Sequence, residues 1–185
     1  MTALYRLNRK RTGLLVVDVQ EKLFPLVERT CEVMDGLKLV IEGFQVMHLP
    51  IVVTEQYPKG LGHTVGTLKA WLGDDQVYLS KTTFSCAGDE ELKSKLLSMP
   101  VDDWVVVGIE AHVCVLQTVK DLLLSGKRVV VLNDCISSRS IFNFSTAIAE
   151  MRDYGARISS VETVLFELLG DSLAAEFKQI SQLIK

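Results

Sequence analysis

Apolar and polar positions along this chain follow two periods, one typical of buried strands and one of amphipathic helices. Residues 12–19 are an almost unbroken run of β-branched residues and leucine, as expected of a strand covered on both faces. Residues 33–48 carry apolar side chains at helical spacing, and the pattern stops before Pro50. The chain is therefore predicted to begin with a strand followed by a helix.

The same alternation continues to the end of the chain. Further strands are predicted at residues 51–55, 77–81, 104–108, 128–134 and 157–160, and helices at residues 67–72, 90–98, 113–125, 142–154, 162–169 and 173–184. Gly and Pro residues mark 56–65 as a loop. This order predicts a three-layer α-β-α, Rossmann-like fold, in which helices flank a parallel sheet of these six strands.

Composition limits the number of domains and the kinds of partner. The chain has 185 residues, of which 48% are hydrophobic, and its formal net charge is -3. With no internal repeat or linker, residues 1–185 are expected to form one domain. The sequence has no basic excess and no apolar run of membrane-spanning length, so we expect neither nucleic acid nor a membrane as a partner.

The cysteine pattern bears on the cellular compartment. Cys31, Cys86, Cys114 and Cys135 are widely spaced and form no C-x-x-C pair, so we expect reduced thiols in a cytoplasmic protein. The short basic segment 5–11 leaves a mitochondrial transit peptide as a minor alternative.

Three chemically capable side chains follow three different predicted strands. Asp18 ends the first strand, Lys81 ends the third, and Cys114 lies just after the fourth, at the start of a helix. Ligands of such folds bind beyond the carboxyl ends of the strands. Taken singly, Asp18 could cap a turn, Lys81 could be solvated and Cys114 could be a small core residue. Their convergence favours a common site.

These residue types suit nucleophilic catalysis. Unpaired backbone N–H groups and the helix dipole at a helix start are expected to lower the pKa of the Cys114 thiol. Asp18 could accept the thiol proton and later deliver it to a leaving group, while Lys81 holds Asp18 in place. The backbone N–H groups of Glu110 and Cys114 could then bind the developing oxyanion.

Several segments together resemble the isochorismatase-like, or cysteine hydrolase, superfamily. They are residues 16–20 with Phe24, Lys81 with residues 84–85, and residues 108–115; residues 54–62 and 135–140 resemble the isochorismatase domain-containing branch that includes MAR1-like proteins. The resemblance implies an Asp-Lys-Cys triad at positions 18, 81 and 114, a six-stranded parallel sheet and a cis peptide between Ile109 and Glu110. It also implies a homo-oligomer, a dimer or larger.

The sequence gives no basis for a metal or an organic cofactor. Nicotinamidases of this superfamily resemble one another in a zinc site built from an Asp-x-His pair and a further His, whereas this chain reads Thr-Glu-Gln at 54–56. Its three histidines, His48, His63 and His112, include no Asp-x-His, so we predict no catalytic metal. No glycine-rich nucleotide motif occurs, so no cofactor is expected.

Five further residues are candidates for contacting a small-molecule substrate. Gln20 and Phe24 follow Asp18, Phe84 follows Lys81, Tyr57 lies in the 56–65 loop, and His112 precedes the cysteine. For the two phenylalanines the alternative is loop packing, and for His112 it is a structural role.

The leading hypothesis is a cysteine hydrolase that cleaves a small amide or related carbonyl compound through a thioester. One alternative is vinyl-ether hydrolysis of the isochorismate type, in which Asp18 acts as an acid and no thioester forms. Another is a non-catalytic binding or scaffold protein that keeps the fold. Apolar residues of the two terminal helices could pack on the sheet or form a subunit interface: Val164, Leu165, Leu168, Phe177, Ile180 and Leu183.

Overall fold

Six parallel strands form one sheet in the computed structural model, which describes residues 5–185. They are β1 (Thr12–Val17), β2 (Ile51–Gln56), β3 (Tyr78–Lys81), β4 (Asp103–Ile109), β5 (Arg128–Ser137) and β6 (Arg157–Ser159). Their spatial order is β3-β2-β1-β4-β5-β6, so β1 and β4 are neighbours at the centre. The strand order reverses between β1 and β4, which is where such sheets bind ligands.

Helices cover both faces of this sheet, as the sequence predicts. They are α1 (Thr30–Val46), α2 (Pro58–Leu61), α3 (Gly66–Leu72), α4 (Glu90–Ser98), α5 (Leu116–Leu124), α6 (Ile141–Asp153), α7 (Val161–Leu169) and α8 (Phe177–Leu183). Alternate residues of β1 enter two separate cores: Leu14 and Val16 pack with α1, α3, α7 and α8, while Leu15 and Val17 pack with α4, α5 and α6. Within residues 5–185, no helix is long and apolar enough to span a bilayer.

The boundaries differ from prediction at a few places. Strand β1 ends at Val17 rather than at residue 19, because Asp18 has a φ of 52° and leaves the extended conformation. Residues 56–65 are not entirely a loop, since they include the short helix α2. The last helix begins at Phe177 rather than at Leu173, which is exposed in a preceding turn.

A single glycine lets the two central strands approach each other. Gly108 of β4 has a φ of 115°, and a Cβ atom there would lie 2.1 Å from the carbonyl oxygen of Val17. Any side chain at this position would therefore collide with the backbone of β1. The close approach brings the end of β4 beside Asp18.

The terminal helices use most of their apolar residues for the core. Val164, Leu165, Leu168 and Ile180 are buried against the sheet, and Phe177 and Leu183 are partly buried there. Phe166 of α7 is partly exposed, and most of the other large exposed apolar side chains lie elsewhere, including Leu26, Leu124, Ile141 and Phe142. Packing on the sheet thus accounts for the apolar pattern of α7 and α8.

Candidate active site

A buried ion pair lies at the carboxyl end of the sheet. Nζ of Lys81 is 2.6 Å from Oδ2 of Asp18, and neither side chain is accessible to solvent. The same ammonium donates to Oε1 of Gln56 at 2.8 Å and to the carbonyl oxygens of Thr83 and Phe84. Buried charges are tolerated when they are paired and hydrogen-bonded in this way.

The electrostatics of the pair keep Lys81 charged. Burial by itself lowers the pKa of the Lys81 ammonium. The charge and hydrogen bond of Asp18, together with the neighbouring Cys86 and Cys114, outweigh burial, so the net shift of the pKa is upward from the ordinary value. Lys81 is therefore a permanent cation at neutral pH and holds Asp18 by charge and hydrogen bond together.

Cys114 lies on the turn that follows β4. The peptide bond between Ile109 and Glu110 is cis, and a π-helical turn over Ala111–Val115 then leads into α5. The Glu110 carbonyl accepts hydrogen bonds from the N–H groups of Val113 and Val115, which fixes this turn. Cys114 is only 5% exposed and faces the buried ion pair rather than open solvent.

The protonation state of Cys114 differs from the sequence-based expectation. A lowered pKa was predicted from the helix start, but burial raises the pKa of the Cys114 thiol, and the charge of Asp18 raises it further against the opposing effect of Lys81. The prediction was wrong because desolvation of the thiolate outweighs the helix terminus. The resting residue is a neutral thiol next to a carboxylate.

Three residues that the sequence did not single out complete this arrangement. Oγ1 of Thr54 donates to Oδ1 of Asp18 at 2.7 Å, and Sγ of Cys86 lies 3.6 Å from the same Thr54 oxygen. Gln56, two residues further along β2, accepts from Lys81. The only available signal was the spacing of Thr54 and Gln56 on a strand, which places their side chains on one face.

Two of the five predicted substrate contacts, Gln20 and Phe24, are buried. The Gln20 amide donates to the carbonyls of Gln56 and Gly62 and accepts from the Gln56 N–H, so it ties the 56–65 segment to the sheet. Phe24 is 7% exposed and packs in the core beside α1. Both side chains are shielded from bulk solvent, as those of Asp18, Lys81 and Cys114 also are.

Tyr57 and Phe84 are accessible, with 52% and 53% of their surfaces exposed. Tyr57 lies at the start of α2, and its N–H donates to the carbonyl of Lys81. It lines a cavity of about 410 Å³ at the end of β3, together with Pro58, Lys59, Ser80, Lys81, Thr82 and Asp89. Phe84 lies outside the lining of that cavity.

His112 makes contacts that fit the structural alternative. Its Nδ1 lies 2.9 Å from Oγ of Ser138, and its Nε2 lies 3.5 Å from the Asn143 amide. Nearby, the Arg139 guanidinium pairs with Glu110 at 2.7 Å. His112 thereby links the cysteine turn to the start of α6.

The histidines do not assemble a metal site. Nδ1 of His63 lies 3.0 Å from the buried Glu55 carboxylate, and His48 follows the end of α1. Across residues 5–185, no group of three or more His, Cys, Asp or Glu side chains is arranged to hold a metal ion.

Comparison with known proteins gives a consistent family. An isochorismatase domain model matches residues 12–163. The secreted isochorismatase effector Isc1 of Phytophthora sojae is 39% identical over 97% of this chain and 87% of its own length. Isochorismatase domain-containing protein 2 of Danio rerio is 35% identical over 100% and 92%. The MAR1 ribonuclease structure from Caenorhabditis elegans has a TM-score of 0.91 and 38% identity over 97% and 92% of the two chains. The chain belongs to the isochorismatase family.

Proposed function

We propose that this protein is a cysteine hydrolase that cleaves a small amide or related carbonyl compound. Cys114 is the nucleophile, Asp18 the proton acceptor and donor, and Lys81 the cation that holds Asp18. The observation that carries the proposal is the solvent-excluded Asp18–Lys81 ion pair beside a nearly buried thiol. Such a cluster is costly unless it does chemistry or is fully compensated.

The first half of the reaction forms a thioester. Asp18 takes the thiol proton while the Cys114 sulfur attacks the carbonyl carbon, and the N–H groups of Glu110 and Cys114 stabilise the oxyanion. The carbon–nitrogen bond then breaks, and the leaving amine receives the proton from Asp18. Because the pKa of Cys114 is raised, the thiolate forms only as this proton moves.

The second half regenerates the enzyme. Asp18 removes a proton from water, whose oxygen attacks the thioester, and the acid product leaves as Cys114 recovers the proton. No metal or organic cofactor takes part in this scheme. Tyr57 and Phe84 are proposed to contact the substrate, because their side chains are exposed.

Vinyl-ether hydrolysis is the second candidate, since the family is named for isochorismatase. That reaction needs Asp18 as an acid but no sulfur nucleophile. The thiol adjacent to Asp18 favours acyl transfer. A covalent intermediate on Cys114 separates the two reactions.

The decisive experiment uses small aliphatic and aromatic amides, together with isochorismate, on wild type, Cys114→Ala and Asp18→Asn. We expect amine or ammonia release from an amide by wild type only, with an acyl adduct on Cys114 seen by mass spectrometry. Turnover of isochorismate by Cys114→Ala would support the vinyl-ether reaction instead. Absence of turnover and of any adduct on the whole panel would favour the non-catalytic scaffold.

We further propose that the protein acts as a homo-oligomer in the cytoplasm. Exposed apolar side chains such as Ile141 and Phe142 support self-association, because large apolar groups are commonly covered in assemblies. Light scattering after size-exclusion chromatography should give the mass of a dimer or larger. A monomer at micromolar concentration would contradict this proposal.

A further inference from the structure

We propose that Thr54 and Gln56 are positioning residues that hold Asp18 and Lys81 in their reactive arrangement. The inference rests on the hydrolase function proposed above. It assigns a role to two residues of β2, the strand that lies between β1 and β3. Neither residue is proposed to touch the substrate.

The sheet topology explains why β2 must supply these residues. Asp18 follows β1 and Lys81 ends β3, and these two strands are separated by β2. Thr54 is paired in register with Val17, next to Asp18, and Gln56 is paired with Lys81. Residues two apart on a strand share one face, so the Thr54 and Gln56 side chains both lie on the face of β2 that carries the ion pair.

Thr54 fixes one oxygen of the carboxylate. Its hydroxyl donates to Oδ1 of Asp18, while Lys81 donates to Oδ2. The fully buried Cys86 thiol donates to the Thr54 oxygen, so the Thr54 hydroxyl proton is directed toward Asp18. Burial raises the pKa of Cys86 to about 11, so this thiol keeps its proton and remains a donor at neutral pH.

Gln56 fixes the ammonium in a comparable way. Its Nε2 donates to the Thr82 carbonyl at 2.7 Å, which leaves Oε1 facing Nζ of Lys81 at 2.8 Å. Its backbone is held by Gln20 through the N–H and the carbonyl. With both oxygens of Asp18 bonded and the ammonium anchored, the carboxylate is prevented from rotating away from Cys114.

The test uses iodoacetamide as a substrate-independent probe of Cys114. The alkylation rate is measured from pH 5 to pH 9, and the label is located by peptide mass spectrometry. Thr54→Val keeps the shape but removes the hydrogen bond to the charged carboxylate. We expect alkylation of Cys114 at pH 6 to slow about ten-fold or more. The rate should stay below that of wild type across the pH range, because Asp18 is no longer held by Thr54 where it accepts the thiol proton.

Controls distinguish positioning from simple damage. Thr54→Ser restores the donor and should restore the wild-type profile, and Gln56→Met should slow alkylation by weakening the hold on Lys81. Thr12→Val makes the same exchange at a buried threonine at the opposite end of β1, whose hydroxyl bonds to Asn8, and should leave the rate unchanged. The exposed Cys31 reports reagent activity in every sample.

The outcomes separate this inference from the proposed function. If Asp18→Asn slows the alkylation of Cys114 but Thr54→Val does not, the positioning role is overturned and the hydrolase proposal stands. An Asp18→Asn that reacts like wild type would overturn the hydrolase proposal itself. If Thr54→Val does not fold, Cys86→Ala replaces it: slower alkylation of Cys114 supports the positioning role, and the wild-type rate refutes it.

Discussion

The ammonium of Lys81 and the carboxylate of Asp18 are 2.6 Å apart, although 63 residues separate them along the chain, and water reaches neither side chain. An ion pair in such surroundings contributes little net stability, because both partners have lost their hydration. Removing only one partner is a different matter, since the other charge is left buried and unpaired. This asymmetry makes the pair measurable apart from any activity.

Lys81→Met should therefore destabilise the protein by about 3–5 kcal/mol, whereas Lys81→Met combined with Asp18→Asn should recover part of that loss. Urea unfolding followed by circular dichroism gives both free energies. Lys120→Met is the matched control, because Lys120 pairs with Glu150 at the surface and should cost less than about 1 kcal/mol. Equal losses for Lys81 and Lys120 would contradict the burial of the pair.

Alkaline pH should weaken the fold through its buried thiols. Burial raises the pKa of Cys86 to about 11 and raises that of Cys114 as well. Each neutral thiol contributes its full stability below the thiol pKa of the unfolded chain, which is about 8.5. That stability is lost as pH rises from there toward the pKa in the folded protein, at about 1.4 kcal/mol per pH unit. Unfolding measured in reductant between pH 8 and pH 10.5 should show a smaller slope for Cys86→Ala. Cys31→Ala should not differ from wild type.

Acidic pH should reduce the stability of the fold through Glu55. Burial alone raises the pKa of this carboxyl group, but hydrogen bonds from Thr64 and His63 outweigh it, and the net pKa is lowered. That stability is present above the unfolded pKa of about 4.3 and is lost as pH falls through the folded pKa. Glu55→Gln should cost about 1–3 kcal/mol at pH 6 and less at pH 3. Glu28→Gln, at an exposed position, is the control and should leave the stability at pH 6 nearly unchanged.

Gly108→Ala should prevent normal pairing of the two central strands. The added methyl group meets the Val17 carbonyl, and the positive φ is itself unfavourable for alanine, so we expect a loss of at least about 3 kcal/mol or no folded protein. Gly66→Ala, where a Cβ meets nothing within 4 Å, is the control and should be neutral or slightly stabilising. Thermal unfolding gives the melting temperature of each variant, and equal values for the two would contradict the steric argument.

Removal of metal ions by a chelator should leave the reactivity of Cys114 unchanged. Thr54 and Gln56 form hydrogen bonds with Asp18 and Lys81, so their side chains are already occupied within the site. Dialysis against EDTA should leave the rate of Cys114 alkylation unchanged, and added zinc should not increase turnover. A loss of turnover that zinc alone restores would require a metal site.

Sequence patterns predicted the layers of the fold well, because burial imposes period two on strands and period 3.6 on helices. The short helix α2 escaped prediction because its four residues, Pro58–Leu61, are too few to show a period. The beginning of α8 was placed too early, since Leu173 is apolar yet 89% exposed.

The site was predictable only in part. Asp18, Lys81 and Cys114 could be found because each lies at or shortly after the end of a strand, and parallel strands end at one edge of a sheet. Thr54 could not, because its role depends on β2 lying between β1 and β3, and strand order is not written in a single sequence. The direction of the Cys114 pKa shift also depends on packing, which a helix start does not reveal.

The division of the sheet has a consequence for how reactivity arises. Asp18 and Lys81 belong to the first half of the chain, Cys114 belongs to the second, and the pairing of β1 with β4 joins the halves. A chain cut between Ser98 and Asp103 would place Asp18 and Cys114 on separate fragments. Under the proposed mechanism neither fragment alone should hydrolyse a carbonyl compound, so turnover after the two are mixed would report correct assembly of the two halves.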